Sequence, residues 1–195
     1  MILPIVAYGN PVLKKEAKNI TQDYPELDQF IYNMWETMYK ASGVGLAAPQ
    51  VGVGIRLFVV DASPFAEDEE LSQEEKEQLS GFKKVFINPE LEESGEEWAF
   101  NEGCLSIPEV REDIYRQEKI HITYFDENFK EHQETFTGLP ARVIQHEYDH
   151  IEGILFTDKL TPLKKRLIKG KLNNIAKGNI QVDYKMRFPL ASKKR

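Results

Sequence analysis

Two of the four histidines lie within one pentapeptide, His146-Glu147-Tyr148-Asp149-His150. On a helix, residues four apart stack one turn above the other, so both imidazoles can face one metal ion. Glu147 follows His146 by about 100° around the helix axis. That puts its carboxylate beside such an ion, where it can take a proton from water, the role of the general base in H-E-x-x-H hydrolases.

A catalytic site of this kind needs a third protein ligand and an open fourth position. The candidates are His121 and His132, both in strand-like alternating runs, and Cys104, in Glu102-Gly103-Cys104-Leu105-Ser106. Cys104 is favoured because Gly103 lets the backbone approach closely. By itself a lone cysteine also reads as a small buried hydrophobe. A third feature is Gly43-Val44-Gly45-Leu46-Ala47-Ala48-Pro49-Gln50. It reads as a helix terminator with a tight loop, or as backbone for a ligand to lie against, with Gln50 offering an NH2 donor. Neither glycine-rich phosphate-loop pattern is present.

These residues must be held by surrounding elements. Over residues 25–39, Leu27, Phe30, Ile31, Met34, Met38 and Tyr39 form one helical stripe, with Pro25 in the first turn and Gly43 just past the end. Residues 55–60 and 85–88 read as strands, and 119–125 with 129–136 as a hairpin around Asp126-Glu127-Asn128. A second helix is expected over 139–151, with Leu139, Val143, His146 and His150 on one face. A third, over 162–176, places Leu163, Leu167, Ile168, Leu172 and Ile175 together against a basic face. Helix, strands, then helices points to an α+β fold.

At 195 residues the chain fits one domain, and 41% hydrophobic residues are enough for a core. One cysteine excludes an internal disulfide framework. The N-terminus lacks a basic signal-peptide region and no run of about 18 apolar residues occurs, so no membrane span and a cytoplasmic address are expected. The net charge of −7 is unevenly placed: residues 159–195 carry twelve Lys/Arg and one acid, Asp183, a balance of +11 that leaves −18 on the rest. Residues 67–80, with seven acids and one lysine, read as a solvated insert between two strands.

Taken together, GVGLAAPQ at 43–50, EGCLS at 102–106 and QHEYDH at 145–150 resemble the three motifs of the peptide deformylases, in the same order and at comparable spacing. The resemblance covers roughly residues 3–175. It implies the α+β deformylase fold, with antiparallel sheets around the helix bearing H-E-x-x-H and a C-terminal helix. It divides the chain into one catalytic domain, 1–177, and a basic tail, 178–195. The implied reaction removes the formyl group from the N-terminal formylmethionine of nascent chains and releases formate.

The resemblance also implies roles for individual residues. Cys104, His146 and His150 would hold one divalent ion, Fe2+ in the cell, with Zn2+, Ni2+ or Co2+ as substitutes. Glu147 would be the base, while the Gln50 amide and the Leu105 N–H would face the formyl oxygen. Leu139, Arg142 and Val143, with Val44 and Glu102 nearby, would accept the methionine side chain, and Gly45 would pair with the substrate main chain. Two supporting contacts are expected: Glu102 accepting from a ligand histidine, and Asp149 paired with Arg116. The partners are formylmethionyl peptides and, through the basic C-terminal segment, the ribosome; neither DNA nor membrane is expected. The residues alone also fit a zinc endopeptidase, which lacks an obvious third His or Glu ligand, and a structural metal site, which would leave Glu147 without a purpose.

Overall fold

The apolar stripe of the first helix buries Leu27, Ile31, Met34 and Met38 in the computed structural model, which describes residues 1–190. This helix, α1, runs Leu27–Lys40, so Pro25 lies outside it and Glu26 takes the cap position in a left-handed conformation, φ 52°. Tyr39 leaves the stripe; its hydroxyl reaches solvent's edge and donates to Asp61 Oδ2 at 2.7 Å. Ser42, not Gly43, turns the chain with positive φ. Gly43 serves close packing instead, since a Cβ there would meet Leu105 Cδ1 at 2.8 Å.

One antiparallel sheet follows, in the order β2 (Gly45–Ala47), β3 (Leu57–Asp61), β4 (Lys83–Cys104), β5 (Ile107–Phe125) and β6 (Glu131–Thr137). The short edge strand β2 is the segment of the small-residue motif. Between β3 and β4 the acidic insert forms α2 (Gln73–Leu79), capped reciprocally by Ser72 and Glu75 and buried only at Leu79. Its solvated character follows from its charge.

Strand β4 is far longer than residues 85–88, and β5 begins twelve residues before 119. More than half of the added β4 residues are exposed, and the stretch from Glu90 to Glu97 is rich in glutamate, so neither alternation nor β propensity marks it. The register slips between Ser94 and Glu97 and again between Gly103 and Cys104, and these irregularities bend the ribbon. The second slip leaves Leu105 and Ser106 as the tight connection back to β5.

Helix α3 (Gly138–Ile151) carries the pentapeptide and packs against β2, β3, β5 and β6, with nearly every residue buried. Helix α4 (Pro162–Lys177) starts at Thr161, whose hydroxyl accepts from Lys164 N, and stops at Gly178, φ 76°. Only Ile168, Leu172 and Ile175 of its expected stripe are buried. Leu163 and Leu167 are 65% and 73% exposed, because at about 100° per residue they point well around the helix from the buried three.

Residues 178–190 return to the body. β1 (Ile5–Val6) pairs in parallel with β7 (Met186–Arg187), and Leu190 N donates to Ala176 O at 3.0 Å. Residues 191–195 of the expected tail lie outside the described residues. No helix among the described residues is long and apolar enough to cross a membrane.

Candidate active site

The three motifs meet at a cavity of about 430 Å³ between the β2 edge, the β4–β5 turn and α3. Helical spacing brings His146 and His150 to the same face, with ring centroids 5.0 Å apart. Cys104, at the end of β4 and on the strand face of Glu102, meets them there, and its Sγ lies 3.3 Å from His150 Nε2. Ligand atoms of Cys104, His146 and His150 all lie within 4.8 Å of one another. A thiolate and two imidazoles at this mutual distance suit a tetrahedral divalent ion with one position left for another ligand. His121 and His132 stay on their strands, bonded to Thr135 and Asp126.

Glu102 fixes the ring of His146, accepting from Nδ1 at 2.9 Å. An ionised carboxylate can only accept, so Nδ1 carries a proton and Nε2 is the atom that could face a metal. Burial by itself would raise the Glu102 pKa, but hydrogen bonds from His146 and Arg116, with the Arg116 charge, outweigh it and hold the carboxyl below the usual range. At His146, burial would lower the pKa; contacts with Cys104 and Glu102 reverse that and draw a proton that a metal must displace. Burial, with the charges of His146 and Arg116, keeps His150 well below the ordinary imidazole value, so its ring favours the neutral form, the form that could bind a metal.

Arg116 donates two bonds to Glu102, at 2.7 and 3.0 Å, and a third to Asp149 at 2.6 Å, so one buried guanidinium ties β5 to both β4 and α3. Arg142 adds a bond to Glu102 at 3.1 Å and others to the carbonyls of Ile114 and Trp98, while its guanidinium stacks over Trp98 at 4.4 Å. The side chain lines the cavity, but its charge is spent on Glu102 and backbone. Val44, Gly45, Glu102 and Val143 also line the cavity. Leu139 is not among the lining residues: at the first turn of α3 it sits too far along the helix.

Glu147 is almost fully buried, and its Oε2 has no hydrogen-bond partner. Burial pushes its carboxyl up to about 7. Gly45 makes room for it: a Cβ at Gly45 would collide with the Glu147 carboxylate, whose Cδ and Cγ would lie 2.8 Å away. Asp61 N donates to Val44 O, so the next position, Gly45 opposite Val60, is a non-hydrogen-bonded pair. Its N–H and C=O therefore face the open side of β2.

Gln50 lies in the 3-10 turn Ala48–Val51, where Ala47 N donates to its Oε1 at 2.8 Å. That bond assigns the amide: Nε2 must be the atom 3.5 Å from Cys104 Sγ. Tyr184, Phe100 and Phe65 complete the walls. No spacing or motif marks them in the sequence, since each reaches the cavity only through tertiary packing.

Two outcomes follow from these contacts. Arg116→Ala should lower stability by about 3–5 kcal/mol and metal affinity by about 10–100-fold, because Glu102 and Asp149 lose their shared cation. Urea denaturation and competition with a chelator measure both, and unchanged values would exclude the role given to Arg116. Gly45→Ala should cost roughly 10²-fold in kcat/KM at equal metal content, by displacing Glu147; wild-type kinetics would show that the carboxylate has room to spare.

The family model described as polypeptide deformylase matches residues 2–166. A peptide deformylase of Christiangramia forsetii is 68% identical and one of Flavobacterium psychrophilum 61% identical, each over 100% of this chain and 100% of the relative. The crystal structure of a peptide deformylase from Legionella pneumophila superposes with a TM-score of 0.75 at 37% identity, covering 89% of this chain and 95% of that one. Matched end to end in sequence and over most of its length in structure, the chain belongs to the polypeptide deformylase family.

Proposed function

We propose that Glu147 is the general base of this chain's deformylase reaction, the hydrolysis of the formyl group from N-terminal formylmethionine of newly made polypeptides, and that Cys104, His146 and His150 hold its divalent ion. The observation that carries this reading is the convergence in one cavity of that three-residue donor set and a buried carboxylate with an unpartnered oxygen. When bound, the ion supplies Lewis-acid chemistry, lowering the pKa of water and polarising the formyl oxygen. Fe2+ is the proposed native ion; Zn2+, Ni2+ and Co2+ suit the same donors.

Glu147 accepts the proton that the attacking water gives up and delivers it to the amine as the C–N bond breaks and formate leaves. The Gln50 Nε2 and the Leu105 N–H receive the charge that grows on the formyl oxygen, each donor being worth about 3–4 kcal/mol at the transition state. The outward N–H and C=O of Gly45 pair with the extended substrate main chain, as in strand addition. Val44 and Val143 contribute apolar wall for the unbranched methionine side chain. Glu102 and Arg142 shape that wall by holding one another.

Formate release from formyl-Met-Ala-Ser by anaerobically purified Fe2+ protein tests this scheme against Glu147→Ala of equal metal content. The substitution should lower the rate by about 10²–10⁴-fold. Equal rates would remove Glu147 from the role of base, and casein cleavage without formate release would favour an endopeptidase.

The proposed place of work is the cytoplasm, where the basic face of α4 meets ribosomal RNA near emerging chains. Lys165, Arg166 and Lys169 are exposed on that helix, on a body that is otherwise acidic. Replacing all three by Glu should abolish salt-sensitive cosedimentation with ribosomes while leaving kcat/KM for the tripeptide unchanged; undiminished cosedimentation would exclude α4 as the contact.

A further inference from the structure

The turn that carries Leu105 is held by the two ends of the chain. Tyr184 Oη donates to the Leu105 carbonyl at 2.8 Å, and Tyr8 N donates to the Ser106 carbonyl at 2.8 Å. Tyr8 lies two residues beyond β1 and Tyr184 two residues before β7, and these two strands are bonded to each other: Ile5 N to Lys185 O at 2.9 Å and Ala7 N to Arg187 O at 3.0 Å. The same segment reaches the second proposed donor. The Arg187 guanidinium lies directly over Gly52, the left-handed residue, φ 88°, that caps the 3-10 turn bearing Gln50.

We propose that Tyr184 is a positioning residue for the deformylase reaction: its hydroxyl fixes the Leu105–Ser106 peptide so that the Leu105 N–H stays aimed into the cavity, and Arg187 braces the Gln50 turn in the same way. The inference rests on the reading of Leu105 and Gln50 as donors to the formyl oxygen. A backbone N–H has no rotamer of its own; its direction is set by the dihedrals on either side. Here Leu105 and Ser106 connect the paired Cys104 and Ile107 and have no partner in the ladder themselves. The Tyr184 bond replaces one. Tyr184 also lines the cavity with its ring, so the hydroxyl and the ring have separable duties.

Tyr184→Phe keeps the ring and removes only the hydroxyl. For protein loaded with equal metal, kcat on formyl-Met-Ala-Ser should fall about fivefold, with KM within about twofold, the equivalent of one hydrogen bond of about 1 kcal/mol lost from the transition state alone. Bound metal and thermal midpoint should not change, and the backbone amide resonances of Leu105 and Ser106 should shift in 15N-labelled Zn2+ protein. Unchanged kcat with unmoved resonances would overturn the proposal at the hydrogen bond and leave the Leu105 donor reading standing. Unchanged kcat with moved resonances would overturn it through that reading, because the turn then shifts without cost to the reaction. A rise in KM alone would assign Tyr184 to the substrate wall, and a loss of metal would assign it to Cys104; either result overturns the positioning role. Arg187→Ala, at an exposed side chain, is the second variant: kcat should fall about twofold at unchanged KM, and full activity would overturn the bracing role of Arg187.

Discussion

Four hydrogen bonds converge on the buried carboxylate of Glu102, two from Arg116, one from Arg142 and one from His146. A carboxylate taken out of water costs several kcal/mol unless it is paired and its lone pairs are filled, and here every lone-pair direction is used. The arrangement cannot be relaxed piecemeal. Moving β4 away from α3 strands the negative charge of Glu102, and moving β5 strands the positive charge of Arg116. The result is less a source of stability than of register: it specifies where the end of β4 meets the helix, and with it the distance from Cys104, two residues on, to His146 and His150.

That constraint explains why the centre lies at the end of a ribbon and not in the middle of a sheet. A thiol within a regular ladder would alternate with its neighbours and face helix or solvent as the pleat dictates. Glu102 and Cys104, two residues apart, share one face of β4 and both meet the helix, and the slip between Gly103 and Cys104 lies where the ladder closes beside them. On the other wall the short edge strand β2 does the complementary thing. Its inner side is paired to β3, and its outer side stays open beside the buried Glu147 carboxylate.

The elements that carry the proposed ligands were legible because their signals are local. The i, i+4 histidines can share an ion only on a helix, and α3 runs within one residue of the expected limits. Of the two expected supporting contacts, Glu102 accepts from a histidine, which is His146, and Asp149 pairs with Arg116. The long β4–β5 ribbon was not legible: its exposed acidic residues resemble a solvated loop, and only pairing with the partner strand makes them β. Leu163 and Leu167 misled in the opposite direction, since at about 100° per residue they lie well around the helix from Ile168, Leu172 and Ile175 and belong to its solvent face. Arg142, read as part of the methionine pocket, lines the cavity but spends its charge on Glu102, a use that only the three-dimensional neighbourhood reveals.

The two proposed donors differ in how the fold aims them, and the difference decides what sequence can reveal. Gln50 is a side chain whose amide is oriented within its own motif, by Ala47 N three residues earlier. Everything needed to place it is written within GVGLAAPQ. Leu105 offers a backbone N–H, identical to every other in the chain, and its direction depends on Tyr8 and Tyr184, respectively about a hundred residues before and eighty after it. A motif of five residues can name such a donor, but cannot show what holds it. Closing the fold between β1 and β7 is what gives the EGCLS turn its geometry, so a terminal segment with no chemistry of its own becomes part of the electrostatics of the site.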